Sequence, residues 1–447
     1  MKRTTTTLML ALASWVATTA ADYNILDFGA RNDTTVLSTQ ALQQAIDRCS
    51  EGGGGRVVVP AGSYTTGTLV LRSHVHLYLE TGATLYGSTR LSDYRQLKTD
   101  YLSLRTQTST IQLIFADGVS DVTISGGGTI DGRGAAFPKL SWNDEGITRP
   151  HLLRFVQSTD ISVSDVTLRN SGCWMQHYLA CDRVRISGIK VFNRNNYNND
   201  ALDLDGCHDV VVSDLICDSD DDGITLKSTS PRLCENITIQ NCIVSSHCNA
   251  IKLGTETNGG FRNINITGCV VKPSSDQSSQ FFGDPSKRGT SAISLEITDG
   301  GTMENVNVSN IVVEGTESPI FIRLGNRARS YAEGIAVERV GTMRGLHLSD
   351  ITVSGAGRTG CSITGLPGHP VEDVWLSRIT IRQQGGCQAV DIPDDEKEKD
   401  YPEATMWGVL PAKGFFVRHA RHIVFSDVEI SCAENDLRPE YVKVDVK

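Results

Sequence analysis

The stretch Asp200–Leu204, which reads Asp-Ala-Leu-Asp-Leu, is the first of five copies of one unit. Each copy begins with a small polar residue and a small residue or proline, followed by two branched aliphatic residues that flank a variable position. This alternation with a period of two is typical of a strand with one buried face. The further copies are Asp222–Leu226, Asn249–Leu253, Ser291–Leu295 and Ser318–Ile322. Such repetition indicates a solenoid.

A second series of short apolar strands sets the register of the repeats. Each of these strands is preceded by Asn or Asp, and the copies at Asp209, Asn236 and Asn263 are 27 residues apart. A third series follows closely, as at Asp214 and Asn241. Three short strands in each turn of about 25 residues predict an all-β fold, a parallel β-helix.

Length and composition agree with this prediction. The chain has 447 residues, more than the roughly 250–300 residues at which a single globular core stops growing, and no Pro/Ser-rich linker divides it. A solenoid extends its core as a column because each turn contacts only its neighbours. We therefore predict one β-helical catalytic domain over residues 22–447. A helix that begins after Ser38, with Ser38 as its N-cap, and runs through Cys49 is expected to cover the first rung.

The N-terminus predicts export from the cytoplasm. Lys2 and Arg3 precede an apolar run from Leu8 to Val16, and small residues follow up to Ala21. This is the pattern of a signal peptide over residues 1–21, and its apolar run is too short to span a membrane. We expect a secreted or periplasmic protein that does not bind membranes, and a monomer.

The charge balance excludes some partners. The 42 basic and 52 acidic residues give a net charge of −10, which argues against nucleic acid and anionic membranes. An acidic glycan would therefore have to rely on cations at its own binding site. The acidic run Asp391–Asp400 is predicted to be a solvated loop.

The twelve cysteines leave two interpretations open. In an exported chain they suggest disulfides. However, Cys217, Cys242 and Cys269 occupy similar places in successive strands of the third series, as do Cys181, Cys207 and Cys234 before strands of the second series. Stacked inward thiols that act as small apolar side chains fit this regularity as well as crosslinks do. No CxxC pair or His-rich tract indicates a metal site.

The candidate chemistry lies at the first position of the repeated unit. Asp200 and Asp222 are equivalent in adjacent turns, about 4.8 Å apart, whereas Asp221 points in a different direction. Three neighbouring carboxylates repel one another, which raises the pKa of at least one of them. A protonated carboxyl beside an ionised one meets the requirement of general acid and base catalysis. A purely structural role in the turns does not explain the repulsion that this cluster incurs.

These residues resemble family 28 of the glycoside hydrolases, the polygalacturonase and rhamnogalacturonan hydrolase group. Asn198-Asn199-Asp200 is similar to the Asn-Thr-Asp motif of that family, and Asp221-Asp222 to its Asp-Asp motif. The resemblance extends from Asp27 to about Arg329. It implies a right-handed β-helix and hydrolysis with inversion, with no metal or organic cofactor. It also implies that Asp221 is the general acid and that Asp200 and Asp222 activate water.

The substrate-binding positions depart from the family pattern. The Gly-His-Gly motif of its polygalacturonases is replaced by Cys248-Asn249-Ala250, and Arg-Ile-Lys by Ser294-Leu295-Glu296. Two cations that would bind a galacturonate carboxylate are thus missing, and Glu296 would repel one. Other cations, such as Lys252 with Arg323 or Arg327, are candidates to replace them. The expected substrate-binding residues are Trp174, His177, Asn198, Lys227, His247, Asn249, Lys252 and Arg323.

We therefore predict a secreted, inverting and exo-acting hydrolase of pectic poly- or oligosaccharides, with galacturonide or rhamnogalacturonan linkages. The spacers 273–290 and 325–342 are expected to form loops that close one end of the groove. A polysaccharide lyase or epimerase is an alternative, because Lys227 or Lys252 could act as a base and carboxylates could hold calcium. The other alternative is a glycan-binding solenoid without catalysis.

Overall fold

The parallel β-helix predicted from the repeats is the fold of the chain. The computed structural model describes residues 21–106, 109–139, 146–274 and 288–447. Its strands pair in parallel with the strand one turn further along the chain and form a right-handed β-helix. Apart from Ala21, the expected signal peptide lies outside the described residues. Among the described helices, none is both long and apolar enough to cross a membrane.

One sheet of the helix, called the cleft sheet below, bears the repeated unit of the sequence. Its strands are Leu69–Val70, Gln112–Asp117, His151–Val156, Gln176–Leu179, Leu202–Asp205, Ile224–Ser228, Asn249–Thr257, Gly289–Ile297, Thr316–Leu324 and Cys361–Thr364. The first residues of Phe415–Glu434 and the strand Tyr441–Val446 complete it.

The other two sheets contain the second and third series of strands. The second sheet consists of Ala21–Asn24, Gly55–Val59, Val75–Leu79, Ser120–Ser125, Thr159–Ser164, Asp182–Ser187, His208–Ser213, Cys234–Gln240 and Gly260–Thr267. The third consists of Asp33–Leu37, Gly62–Thr66, Ala83–Gly87, Thr129–Asp131, Thr167–Arg169, Lys190–Asn193, Ile216–Ser219, Ile243–Ser246 and Val270–Val271. Beyond these, four long strands run through both sheets: Thr302–Glu314, Thr342–Ala356, Val371–Gly385 and Phe415–Glu434.

Few helices accompany the strands. The α-helix Thr39–Glu51 packs on the first strands and buries Ala41, Leu42, Ala45, Ile46 and Cys49, as its pattern predicts. Ser38 is its N-cap residue, as predicted, but the Ser38 hydroxyl makes no capping hydrogen bond and instead accepts one from the Arg31 N–H at 3.2 Å. Short 3-10 helices are formed by Ile25–Phe28, Leu91–Asp93 and Gly134–Ala136.

The repeated unit stacks in register, as its sequence predicts. Its aliphatic residues form continuous buried columns, one of which contains Leu202, Ile224, Ile251, Ile293 and Ile320. Each such side chain contributes about 1.5–3 kcal/mol on burial, so the columns hold successive turns together. The intervening residues point outwards into the cleft.

Left-handed backbone explains the Asn and Asp residues that open the strands of the second sheet. Asp209, Asn236, Asn263 and Asn305 have φ values of 56°, 57°, 57° and 55°. Asn and Asp tolerate this conformation better than other residues with a side chain. The side-chain amide of each Asn also donates to the equivalent residue of the preceding turn, at 3.0 to 3.1 Å.

Substitutions of Asn263 should separate backbone strain from the loss of this ladder. We expect Asn263→Ala to lower the free energy of unfolding by about 1–2 kcal/mol, because alanine is strained at positive φ. Asn263→Gly removes the same hydrogen bonds but relieves φ, so it should cost less. Urea unfolding of both variants measures the difference. Equal losses would show that the ladder, rather than the backbone, carries the effect.

Of the two interpretations of the cysteines, the structure favours stacked thiols over disulfides. All twelve lie in the described part of the chain, and no disulfide joins any two of them. Cys181, Cys207 and Cys234 share one buried column, and Cys242 and Cys269 share another. The prediction that Cys217 is equivalent to Cys242 is wrong by two residues, because Cys217 pairs in register with Val244. Both positions nevertheless face the core.

Candidate active site

The register of the cleft sheet brings the three candidate catalytic acids together. The Ala201 N–H donates to the Asp222 carbonyl at 3.0 Å, so Asp200 and Asp222 lie on adjacent turns. Both are buried, each with 3% of its surface exposed. Asp221 is less buried, and one of its carboxyl oxygens lies within 4.8 Å of one on Asp222.

The surroundings of Asp221 favour its protonated form. Its backbone carbonyl accepts hydrogen bonds from the Ser219 and Ser246 hydroxyls at 3.0 and 2.6 Å, and its carboxyl accepts one from the Asp222 N–H at 2.9 Å. Burial, together with the negative charge of Asp222, raises the pKa of Asp221 to about 7. Near neutral pH a substantial fraction of this carboxyl therefore remains protonated.

Asp222 is held in the ionised state. Burial alone would raise its pKa, but the Lys252 and Lys227 ammonium groups outweigh burial, and the pKa lies below its ordinary value. The Lys252 Nζ is 3.0 Å from Oδ2. The Asn249 side-chain amide and backbone N–H donate to Oδ1 at 2.9 and 3.1 Å. A proton donor and an ionised acceptor therefore occur side by side.

Asp200 offers an open acceptor. Its buried Oδ1 has no hydrogen-bond partner among the described residues. Burial raises its pKa well above the ordinary value, and the charges of Asp203 and Asp221 add to this effect. An unpartnered carboxyl oxygen in this position is suited to hold a water molecule or a sugar hydroxyl.

A layer of ion pairs behind the acids was missed by the sequence reasoning. The Glu256 carboxylate lies 2.7 Å from Arg105, 3.4 Å from Lys227 and 3.5 Å from Arg329. Lys227 also lies 3.6 Å from Asp203. The sequence could have indicated Asp203, since this residue occupies the outward variable position of the repeat. The repeat pattern could not have indicated Glu256, because the pairing of its strand shifts register after Leu253.

Two predicted sugar-contacting residues are buried by the side chains around them. Trp174 is 3% exposed, and its ring meets the His177 ring edge-on at 5.0 Å and the Lys227 ammonium at 4.7 Å. The buried His177 lies 3.2 Å from Asp205, and burial lowers its pKa to about 4. This placement corrects the expectation that Trp174 stacks on a sugar and that His177 reaches the cleft.

The remaining predicted binding residues lie in different surroundings. His247 is buried between Asp220 and Arg194, at 2.8 and 2.9 Å, so it too is removed from the cleft. Asn198 is partly exposed at a turn, and its Oδ1 accepts a hydrogen bond from Arg149 at 3.0 Å. Asn249, Lys252 and Lys227 surround the acids as described above.

The segment 386–414, called the wall segment below, covers the cleft sheet beyond the Lys252 turn. Its Tyr401 hydroxyl accepts a hydrogen bond from Lys252 at 3.2 Å, and its Glu403 carboxylate accepts one from the Asn249 amide at 3.3 Å. Further along, the outward-pointing Phe321 and Arg323 are fully buried. The wall segment therefore closes the C-terminal end of the cleft.

Arg323 is part of this closure and does not face a substrate. Its guanidinium donates to the carbonyls of Gly365 and Glu396, at 3.2 and 2.6 Å, and lies over the Trp407 ring at 5.1 Å. This corrects its predicted role in binding. The segment 391–400 is a loop of mostly exposed residues, as predicted, although its Glu396 pairs with Arg418 and His419.

Of the two spacers that were predicted to close the groove, the structure describes one fully and the other only in small part. The spacer 325–342 contributes Arg327, which lies over the Tyr401 ring at 4.9 Å, and Arg329. Most of the spacer 273–290 lies outside the described residues. The main closure comes from the wall segment, which the repeat pattern did not indicate.

Comparisons with known proteins show the family to which the chain belongs. The sequence profile of the glycosyl hydrolases family 28 matches residues 49–396. A probable polygalacturonase of Vitis vinifera is 26% identical over 82% of this chain and 76% of its own length. An exopolygalacturonase of Cochliobolus carbonum is 26% identical over 62% of this chain and 67% of its own.

Solved structures show the same fold. An exopolygalacturonase from Thermotoga maritima superposes with a TM-score of 0.69 at 19% identity, over 92% of both chains. A family 28 exopolygalacturonase from Yersinia enterocolitica gives 0.70 at 19% identity, over 96% of this chain and 78% of the other. With the profile match over most of its length, the chain belongs to the glycosyl hydrolases of family 28 and is a glycoside hydrolase.

Proposed function

We propose that this hydrolase removes sugars from the ends of pectic polysaccharides or oligosaccharides, with inversion of configuration. One observation carries the proposal: Asp221, a proton donor, and Asp222, an ionised acceptor, lie at a cleft that the wall segment closes. A closed end admits a chain terminus more readily than the middle of a polymer. Relatives named exopolygalacturonase and exo-poly-alpha-D-galacturonosidase support both the substrate class and the exo action.

In the proposed reaction, Asp221 donates its proton to the glycosidic oxygen as the bond to the anomeric carbon breaks. A water molecule attacks the opposite face of that carbon and gives its proton to Asp222, while Asp200 orients it. Carboxyl groups of inverting enzymes usually stand roughly 6.5–9.5 Å apart. The closest oxygens of Asp221 and Asp222 are within 4.8 Å. We therefore place the water toward Asp200, where the unpartnered Oδ1 is available.

A lyase or epimerase is less well supported. Its base would have to be Lys227 or Lys252. Burial lowers the pKa of both ammonium groups, but the surrounding carboxylates outweigh burial and raise it above the usual value. Such groups hold their protons too tightly to act as bases. We also propose export of the protein, on the signal pattern of residues 1–21.

Product analysis in heavy-oxygen water tests this function. Incubation with a panel of pectic oligosaccharides should yield a saturated sugar of inverted configuration, with one labelled oxygen at its anomeric carbon, by NMR and mass spectrometry. Single terminal sugars should appear from the first time point if action is exo. A mixture of internal fragments would contradict exo action, and a retained anomer would contradict inversion. Unsaturated products would instead establish a lyase.

A further inference from the structure

Arg327 is a cation at the closed end of the cleft whose hydrogen-bonding capacity is incompletely used. Its guanidinium lies over the Tyr401 ring at 4.9 Å, and its buried Nη1 has no hydrogen-bond partner among the described residues. Burial is the main influence on its pKa, which it lowers. A buried donor without an acceptor is costly in a folded protein, so the site is suited to a ligand that supplies one.

The neighbouring arginines differ from Arg327 because protein oxygens accept hydrogen bonds from their guanidinium groups. Arg323 donates to backbone carbonyls, as described above. Arg329 lies 3.1 Å from Asp299 and 3.5 Å from Glu256. These contacts hold both side chains in place, and the two carboxylates offset the charge of Arg329. Arg327 has no such ion pair among the described residues.

Arg327 is linked to the catalytic acids through only two side chains. The Tyr401 ring that it covers carries the hydroxyl that accepts from Lys252, and Lys252 pairs with Asp222. The Tyr401 ring contact places the guanidinium beside this residue, and a planar guanidinium binds a carboxylate through two parallel hydrogen bonds. A sugar bound at the acids would thus have a carboxylate-binding group at the closed end.

The acidic residue that was expected to repel a uronate does not prevent this. Burial raises the pKa of Glu296 to about 8, so that this side chain is uncharged near neutral pH. Its Oε1 accepts a hydrogen bond from the Ser294 hydroxyl at 2.6 Å. Near neutral pH Glu296 therefore adds no negative charge to this part of the cleft.

We propose that Arg327 binds the carboxylate of a uronic acid at the closed end of the cleft and so determines the specificity of the enzyme. This inference rests on the proposed function, because it concerns the sugar that the same site accepts. Arg327 would replace the two cations of the Arg-Ile-Lys motif, which are missing where Ser294 and Glu296 stand. It acts on substrate choice rather than on the reacting atoms.

Binding measurements that do not depend on turnover test the inference. We expect wild-type protein to bind D-galacturonate more tightly than its methyl ester or D-galactose, by isothermal titration calorimetry. Arg327→Gln should weaken the binding of D-galacturonate about 10- to 100-fold, the range for a lost hydrogen-bonded charge pair, and leave the ester nearly unaffected. Arg327→Lys should lose less affinity for D-galacturonate, since lysine retains the positive charge but not the paired donors of the guanidinium. The exposed Arg344, paired with Glu304 on the second sheet, provides the control Arg344→Gln.

The outcomes separate this inference from the proposed function. Equal binding of the acid and the ester by wild-type protein would overturn it, as would an equal loss of both ligands in Arg327→Gln with an unchanged melting temperature. If Arg327→Gln does not fold, the Arg327→Lys variant decides by the same comparison. Selective uronate binding without hydrolysis of any pectic oligosaccharide would leave the inference standing and reject the proposed function.

Discussion

Asp221→Asn is expected to lower kcat on natural oligosaccharides by about 10²–10⁴-fold, the usual contribution of general acid catalysis. The amide keeps the shape of the side chain but has no proton to give to the leaving sugar. An aryl glycoside, whose leaving group needs little protonation, should lose much less activity. Steady-state kinetics on both substrate types measures this contrast. A similar loss on both substrates would contradict the role of Asp221 as the acid.

The pH profile gives an independent check on the same residue. Because Asp221 acts in its protonated form and its pKa is raised to about 7, wild-type kcat/KM should fall as the pH rises through that value. Asp221→Asn acting on an aryl glycoside should lack this alkaline limb. The matched control is Asp214→Asn, at an exposed turn with φ of 57°, where Asn is equally tolerated. It should leave the rate and the profile unchanged.

Lys252→Gln is expected to have the second largest effect, on both stability and activity. It leaves Asp222 buried without the ammonium that lies 3.0 Å away. Removing one partner of a buried ion pair typically costs about 3–5 kcal/mol, which urea unfolding would detect. Without Lys252 the pKa of Asp222 should rise, so the acid limb of kcat/KM should move to higher pH. Activity near pH 5 should then fall more than activity near pH 7.

A double variant distinguishes the ion pair from the packing of the long side chain. In Lys252→Gln combined with Asp222→Asn, no uncompensated charge remains, and much of the lost stability should return. Activity should not return, because the proposed base is absent. If the double variant is no more stable than Lys252→Gln alone, the loss comes from contacts such as that with Tyr401 rather than from the charge pair.

Lys252 and Asn249 show how the wall segment and Asp222 depend on each other. Lys252 contacts Asp222 through its ammonium and donates to the Tyr401 hydroxyl through the same atom. Asn249 likewise donates to both Asp222 and Glu403. The closed end of the cleft and the charge state of Asp222 are therefore set by shared contacts. In the proposed function, recognition of a chain end and activation of water occur in one network.

The sequence by itself determined the β-helix, the register of its turns and the grouping of Asp200, Asp221 and Asp222. These features follow from local rules. A period of two places aliphatic residues inward, Asn or Asp occupies the left-handed corners, and equal spacing stacks equivalent residues in adjacent turns. The same regularity predicted the thiol columns, apart from the two-residue error at Cys217.

Only the tertiary structure decided how the cleft is closed and which polar side chains remain accessible. Tyr401 and Glu403 reach Lys252 and Asn249 across 149 and 154 residues of sequence, from a segment without any repeat. The burial of His177 and Arg323 depends on what packs over an outward-facing position, which strand alternation does not specify. Glu256 reaches its cations because a register shift interrupts the pattern. Periodicity specifies the direction of a side chain, whereas non-local packing determines whether it meets solvent, substrate or another charge.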